Sequence, residues 1–219
     1  MTHAPFAHGR RRRMGFSLGW LSLLAAVGAA NSAHASAPDA RQAMRTVLGL
    51  QPCQPSGKGK DYQVGQGQGR LASLDLVPWE KLAAGDTVRI HYRDAPYAGK
   101  FMLSARGTEQ SPVRVCGIPG ADGKRPVVTG RDAVTRKGQS YGHALHQSRS
   151  VIVIKPAASA GWEAYPQHIQ IDGLDIRSAH PSYQFTDSDG ARRRYDEFGA
   201  CIWVERGHGI TIADNAISD

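Results

Sequence analysis

Two segments of the chain decide its fold, and they read HIQIDGLDI at residues 168–176 and GITIADNAI at residues 209–217. Each segment carries isoleucine at its second, fourth and ninth positions. The segments that precede them also correspond, since VIVIK at 151–155 matches CIWVE at 201–205. One unit of two strands and a turn therefore occurs twice in the same order, and such internal repetition is typical of stacked architectures.

The alternation of these isoleucines explains why the repeated segments would stack. Side chains at alternate positions of a strand point to one face, and strands stacked about 4.8 Å apart align equivalent side chains and pair their backbone groups. Asn215 stands in the place of Leu174 at a bend between two short strands. An inward amide there can hydrogen-bond backbone groups that the turn leaves unpaired. The variable segments 156–167 and 178–199 are predicted to be outward loops.

Short alternating segments also fill the region after Asp86. Apolar pairs recur between Gly- or Pro-containing turns: Val88 and Ile90, Phe101 and Leu103, Val113 and Val115, Val127 and Val128. Nothing between them has the length of a crossover helix, which leaves a meander, a sandwich or a solenoid. Upstream, we expect a short helix at 40–48, a polar glycine-rich loop at 62–70, and partly helical structure at 71–84 that Pro78 divides.

The N-terminus has the order of a secretory signal. Four arginines at 10–13 precede an apolar run from Phe16 to Ala30, and Ala33-His34-Ala35 offers small residues for a signal peptidase. The run is shorter than the roughly twenty residues that a spanning helix needs, and an uncleaved anchor is the alternative. Residues 1–35 are thus predicted to be a signal peptide of a secreted or periplasmic protein. No membrane association is expected after cleavage.

The charge of the chain changes once the signal is set aside. The whole sequence has 27 basic and 19 acidic residues and a net charge of +8. Four of the arginines belong to the signal, so the mature chain carries +4 (23 basic against 19 acidic residues). That mild excess does not argue for nucleic acid as a partner. It suits an anionic polysaccharide.

The three cysteines, Cys53, Cys116 and Cys201, fit an oxidising compartment, where disulfides persist. Cys53 and Cys116 lie in the N-terminal half beside Pro52 and Gly117 in turns, and we expect these two to pair. Three reduced thiols are the alternative, since the sequence does not give the separation of Cα atoms.

A family resemblance rests on short motifs between residues 85 and 130. They are GDTVRI at 85–90, YAG at 97–99, GT at 107–108, PVRV at 112–115 and PVVTG at 126–130. These motifs resemble the opening coils of the pectin-lyase-like superfamily, and within it the alginate-lyase and chondroitinase-B-like group. The resemblance implies an all-β, right-handed parallel β-helix with a short N-terminal capping helix.

The resemblance also implies a division of the chain. The capping segment and first coils would span 71–219, after an irregular leader at 36–70. Family members continue for further coils, so we expect the sequence to be truncated after Asp219. The same opening occurs in lyases, hydrolases, epimerases and non-catalytic surface proteins, so its implication for chemistry is weak.

The candidate site residues follow from the strand alternation. If the isoleucines of 151–155 and 201–205 face inward, then Lys155, Trp203 and Glu205 face outward on adjacent coils, where members of the similar family bind sugar chains. Trp203 would stack on a sugar ring. Lys155 would neutralise a uronate carboxylate or take the proton alpha to it, and Glu205 would act as acid or base or hold a cation. The alternative for Lys155 and Glu205 is that they are solvated surface charges. The alternative for Trp203 is that it packs under a loop.

A second group of candidates is Arg192, Arg193 and Arg194, in the long loop after Tyr183-Gln184-Phe185. Flanked by tyrosines, they would form a rim that binds acidic sugars, because guanidinium matches carboxylate in a forked geometry. A solvated loop balanced by nearby acidic residues is the alternative. The histidines show no metal-ligand spacing. Calcium at the turn aspartates Asp172, Asp175 and Asp214 is conceivable, although turn-forming aspartate is commoner.

Two function classes follow. One is a polysaccharide-degrading enzyme, a lyase on a uronate-containing polymer or else a glycoside hydrolase. The other is a non-catalytic, glycan-binding β-helix protein of a surface or matrix, and an inactive fragment is a third reading. In each case we expect a monomer with an acidic polysaccharide as its partner, and calcium is the one candidate cofactor.

Overall fold

The computed structural model describes residues 40–219, and over these residues β-strands are the main regular secondary structure. Within that range, helices α1 and α2 span Ala40–Val47 and Ala144–Arg149, and 3₁₀-helices span Leu74–Leu76 and Trp79–Lys81. The strands are β1 (Asp61–Val64), β2 (Thr87–His91), β3 (Tyr97–Leu103), β4 (Val113–Ile118), β5 (Val127–Thr135), β6 (Ser150–Ile154), β7 (Ile169–Asp172), β8 (Asp175–Arg177), β9 (Gln184–Thr186), β10 (Arg192–Arg194), β11 (Ala200–Val204), β12 (Thr211–Ala213) and β13 (Ala216–Ser218). This content agrees with the predicted all-β class.

The predicted signal peptide at residues 1–35 lies outside the described residues. Between residues 40 and 219, no helix is both long enough and apolar enough to cross a membrane.

Hydrogen bonding joins the strands into two sheets. The first has the order β1-β2-β4-β7-β12, and the second has the order β10-β9-β5-β3-β6-β11, with β8 joined to β5 and β13 to β8. The strand pairs are parallel except for the antiparallel hairpin β9–β10. Because β3 follows β2 in sequence but belongs to the other sheet, the chain passes between the sheets as it advances. Except in that hairpin, neighbouring strands within a sheet are therefore far apart in sequence.

The strand pairing predicted from the sequence repeat is confirmed. Strand β11 pairs in parallel with β6, with Ile202 opposite Ile152. Strand β12 pairs with β7 and β13 with β8, so that Ile212 lies opposite Ile171 and Ile217 opposite Ile176. Equivalent positions of the repeat thus lie side by side.

Inward rows of β-branched residues form the core. In the first sheet, Val88 lies opposite Val115 and Val115 opposite Ile171, and all three are fully buried. In the second sheet, Val128 lies opposite Ile176, and both are fully buried. Burying each such side chain stabilises the fold by about 1.5–3 kcal/mol. The alternation that marks the sequence is thus the alternation that fills the core.

Asn215 has the backbone role that its position in the repeat predicted. Its Oδ1 accepts a hydrogen bond from the Leu174 N–H at 3.0 Å, and its Nδ2 donates to the Ile171 carbonyl at 2.9 Å. The amide therefore satisfies two backbone groups of the neighbouring turn, where an apolar residue would leave them unpaired.

The N-terminal segments differ in part from expectation. The helix predicted at 40–48 is present as α1. The prediction of a loop at 62–70 is wrong at its start, because β1 extends to Val64 and pairs in parallel with β2. The partly helical stretch at 71–84 is confirmed as two short 3₁₀-helices on either side of Pro78. Trp79, fully buried, stacks on Phe101 with ring centroids 3.7 Å apart, so this segment packs against the second sheet.

The predicted disulfide is present. Cys53 bonds to Cys116 across a sequence separation of 63, with Cα atoms 5.7 Å apart, a separation that suits a disulfide. The bond ties the leader to β4 in the first sheet. Cys201 is a free, buried thiol, and burial raises its pKa to about 11. A thiol in that state is unreactive at neutral pH.

Candidate functional site

Six aromatic and charged side chains form a continuous line of contacts around the C-terminal end of β11. We call them the Trp203 patch: His146, Arg149, Trp162, Trp203, Glu205 and Arg206. Two of the six, Trp203 and Glu205, are residues that the sequence predicted for the site.

The inner side of Trp203 packs on a small apolar cluster. Met102 lies opposite Val153 and Val153 opposite Trp203 in adjacent strands, so the three side chains form one row on the outward face of the second sheet. Tyr141 packs over this row. The prediction of a bare outward face is therefore wrong, because the connection between β5 and β6 covers it. Trp203 is half-buried, which agrees more with the alternative that it packs under a loop than with a fully exposed ring.

The exposed part of Trp203 is flanked by basic side chains. The guanidinium carbon of Arg149 lies 5.1 Å from the ring centroid of Trp203, within cation–π range. The ring centroid of His146 lies 5.5 Å from that of Trp203. A ligand that reaches the Trp203 ring would therefore also reach a positive charge.

His146 is held in a defined tautomer. Its Nδ1 lies 2.9 Å from the Tyr141 carbonyl oxygen, which only accepts hydrogen bonds. In the neutral ring Nδ1 therefore carries the hydrogen, and Nε2 carries the free lone pair. Nε2 lies 3.6 Å from Glu205 Oε2. An oriented imidazole beside a carboxylate is an arrangement that can accept a proton.

Arg206 connects Glu205 to the exposed ring of Trp162. Its guanidinium is 3.9 Å from Glu205 Oε1, donates to the Trp162 carbonyl at 2.7 Å, and stacks 3.8 Å from the Trp162 ring centroid. Trp162 is 76% exposed. Arg206 thus holds in place a large aromatic face that the rest of the chain leaves open to solvent.

Lys155 does not occupy the exposed position that the sequence predicted. Its residue is only 5% exposed, and its Nζ donates to the Pro156 carbonyl at 2.9 Å. The Glu205 N–H donates to the Ile154 carbonyl, which places Glu205 beside Lys155 in register. Even so, the Glu205 carboxylate pairs with His146 and Arg206. A base must contact its substrate, so this placement does not favour Lys155 as the base.

The three arginines of β10 lie on the β9–β10 hairpin and engage other partners. Arg192 pairs with Asp132 at 2.7 Å, Arg193 with Asp187 at 2.9 Å, and Arg194 donates to the Pro181 carbonyl at 3.3 Å. None of them bonds to a residue of the Trp203 patch. Burial opposes ionisation of Asp187, but hydrogen bonds from Arg193 and two backbone N–H groups lower its pKa. The structure thus fits the alternative of a charged loop balanced by acids.

The turn aspartates are surrounded by arginines. Asp214 accepts hydrogen bonds from Arg41, Arg45 and Arg125, and burial of the carboxylate is outweighed by these bonds, which lower its pKa to about 2. Asp172 pairs with Arg114 and Arg45, and Asp175 with Arg177. Calcium needs six to eight oxygen ligands. Because the oxygens of these carboxylates already bind guanidinium groups, the arrangement does not favour a calcium site. From residue 40 to 219, no group of three or more His, Cys, Asp or Glu side chains could hold a metal.

Four residues of the patch escaped prediction: His146, Arg149, Trp162 and Arg206. Helix α2, which carries His146 and Arg149, lies in a stretch where no helix was expected. Trp162 belongs to a loop whose path the sequence does not give. Arg206 follows Glu205 directly, and this adjacency to a predicted residue was the one available signal.

Comparison of the chain with protein-family models, with curated protein sequences and with solved structures gave no match. The resemblance to pectin-lyase-like proteins therefore stays a prediction from the motifs quoted above.

Proposed function

We propose that this chain is an exported, right-handed parallel β-helix protein that binds an acidic, uronate-containing polysaccharide at the Trp203 patch. The observation that carries the proposal is the exposed face of Trp162, held by Arg206 and joined through Glu205 and His146 to Trp203. Parallel pairing of repeated strands in register supports the β-helix. The secretory pattern of the sequence and the Cys53–Cys116 disulfide support export.

The two tryptophans supply the surface on which sugar rings stack. A pyranose has one face of C–H groups, and an aromatic ring buries that face without needing hydrogen bonds from it. Trp162 is 76% exposed, whereas Trp203 is half-buried. The contacts between them run through polar side chains, so a ligand that spans both meets hydrogen-bond donors on the way.

The two arginines supply the recognition of carboxylate. Arg149 and Arg206 have side-chain exposures of 39% and 27%, and each is near one acidic side chain at a distance longer than a hydrogen bond. A uronate carboxylate could therefore form forked hydrogen bonds that neither arginine makes with its present acidic neighbour.

Lyase action on the same polymer is a second candidate, favoured by the orientation of His146. Nε2 would take the C5 proton of a uronate, the electron pair would form the C4–C5 double bond, and the bond from C4 to the glycosidic oxygen would break. A proton returned by the imidazolium, directly or through water, would complete the departing hydroxyl. Arg149 or Arg206 would neutralise the carboxylate and so stabilise the carbanion.

Replacing the exposed ring gives a direct test of binding. Trp162→Ala should weaken binding to alginate or polygalacturonate about tenfold, because an aromatic anchor at an interface contributes more than most contacts. The ring is exposed, so the fold should be unaffected. Binding is measured by isothermal titration calorimetry on the exported chain, and folding by circular dichroism.

The matched control is Leu76→Ala, which removes another partly exposed apolar side chain from outside the patch. It should leave binding unchanged. Equal binding by Trp162→Ala and the unmodified chain, or no binding of any acidic polymer, would rule out the proposed site. Ultraviolet absorbance of unsaturated uronate products, with and without His146→Ala, separates the lyase from a protein that only binds.

A further inference from the structure

A cavity of about 260 Å³ lies next to the Trp203 patch and takes no part in the proposed polymer binding. It is open to solvent and is lined by the loop 138–144 on one side and by the turn 187–189 with Arg193 on the other. Tyr141 belongs both to its wall and to the apolar cluster beneath Trp203. The cavity is therefore a neighbour of the patch and is formed by different side chains.

Two buried glutamines give the cavity a fixed wall. The Gln139 amide donates to the Met102 carbonyl at 2.9 Å and accepts from the Met102 N–H at 3.4 Å. The Gln147 amide donates to the Ser188 hydroxyl and accepts from the Ser188 N–H, both at 3.0 Å. Each side chain is thereby paired twice, so the loop and the turn are held in place before any ligand arrives.

Other groups around the cavity have hydrogen-bonding capacity to spare. Three lining groups form no hydrogen bond within residues 40–219: the Asp189 carboxylate, the Ser140 hydroxyl and the terminal nitrogens of Arg193. The Arg193 side chain donates only through Nε, to Asp187. His143 uses Nδ1 to accept from the Leu145 N–H, which leaves Nε2 with its hydrogen as a donor. The cavity thus combines donors and an acceptor at its open side.

The charge of the lining selects among ligands. Asp187 and Asp189 are negative and Arg193 is positive, so with neutral His143 the lining carries a net charge of −1. Such a site repels a carboxylate, and it suits hydroxyl groups that can both donate and accept. Its volume is below the about 300 Å³ at which sites for drug-sized ligands begin, which fits one sugar ring.

From this combination we infer that the cavity binds a single neutral sugar unit, with its hydroxyls between Asp189 and Arg193. The inference does not depend on the acidic polymer proposed for the Trp203 patch. A protein with both sites would hold a charged stretch of glycan on its surface and a neutral unit in the cavity.

The test uses ligand-observed NMR of the exported chain with glucose, galactose and mannose, and with glucuronate as the charged comparison. At least one neutral sugar should show saturation transfer and bind more tightly than glucuronate. Asp189→Ala should weaken that binding about tenfold, because it removes a charged hydrogen-bond acceptor. The matched control, Glu197→Ala, removes an exposed carboxylate outside the cavity lining and should bind as the unmodified chain does.

Three results would overturn the inference: no transfer from any neutral sugar, glucuronate binding at least as tight, or unchanged binding by folded Asp189→Ala. Polymer binding and its loss in Trp162→Ala are measured separately. Failure of the cavity therefore leaves the proposed function standing, and failure of polymer binding leaves the cavity standing.

Discussion

Tyr141 is the residue at which the molecule's two candidate binding regions meet, and it carries an unsatisfied hydroxyl. The residue is 2% exposed, and its Oη is buried without a hydrogen-bond partner. Burial raises the pKa of Tyr141 well above its usual value, so the group stays neutral. A buried hydroxyl without a partner lowers stability by about 1–3 kcal/mol relative to a satisfied one.

Removing this hydroxyl should stabilise the protein. Tyr141→Phe keeps the ring that packs on Met102 and Val153 and deletes only the unpaired atom. We expect the free energy of unfolding to rise by about 1 kcal/mol, measured by chemical denaturation. Tyr195→Phe is the matched control, because that hydroxyl donates to the Gly130 carbonyl at 3.0 Å and its loss should destabilise. A loss of stability in Tyr141→Phe comparable to the control would show that the hydroxyl has a partner.

At the scale of the elements, the turns set how closely neighbouring strands approach. Gly117 at the end of β4 faces Gly173, which connects β7 to β8 with a φ of +76°. A Cβ added at Gly117 would lie 2.1 Å from the Gly173 carbonyl oxygen. Since that atom belongs to the backbone, the neighbouring turn would have to move.

Gly117→Ala should therefore destabilise the fold strongly, by about 2–4 kcal/mol, because the clash displaces a turn rather than a flexible side chain. Thermal unfolding followed by circular dichroism measures the effect. Gly161→Ala is the control, since a Cβ there meets no atom within 4 Å and should change stability by no more than about 0.5 kcal/mol. Similar melting temperatures for the two variants would contradict the close approach of the turns.

The elements also show what a sequence can and cannot predict here. Alternating isoleucines predicted the pairing of β6 with β11 and of β7 with β12, because a strand that is buried on one face has apolar residues at alternate positions. The position of Lys155 could not be predicted, since its burial depends on what covers the outward face. Part of that face, at Met102 and Val153, is covered by Tyr141 in a loop without periodicity. Trp203 was found because it lies in a repeated strand, whereas Trp162 lies in a variable loop.

Across the whole described part, arginine–aspartate contacts join distant segments. Asp214, whose side chain is fully buried, binds Arg41 and Arg45 of α1 and Arg125 before β5. Asp172 binds Arg114 of β4, which also donates to the Gln51 and Pro52 carbonyls of the leader. These bonds attach the leader to the first sheet at several points.

This network makes stability depend on acid pH. The pKa of Asp214 falls from 3.8 to about 2 on folding, so its contribution is complete above pH about 4 and is lost as pH falls toward 2. The shift corresponds to about 2 kcal/mol. Urea unfolding at a series of pH values should show stability falling through this range, and Asp214→Asn should flatten that fall. The same slope in the variant would assign the acid sensitivity to other carboxylates.

The disulfide between Cys53 and Cys116 makes a covalent ring of the chain that includes β1, β2, β3 and most of β4. A protease that cuts once inside this ring opens the backbone but liberates no piece, because the two ends remain linked through sulfur. In the unfolded state the ring also limits how far its ends can separate, an entropic advantage of about 4 kcal/mol for a loop of this size. As long as the disulfide stays oxidised, the opening strands of the protein would thus tolerate a cut that would separate an unlinked chain into two pieces.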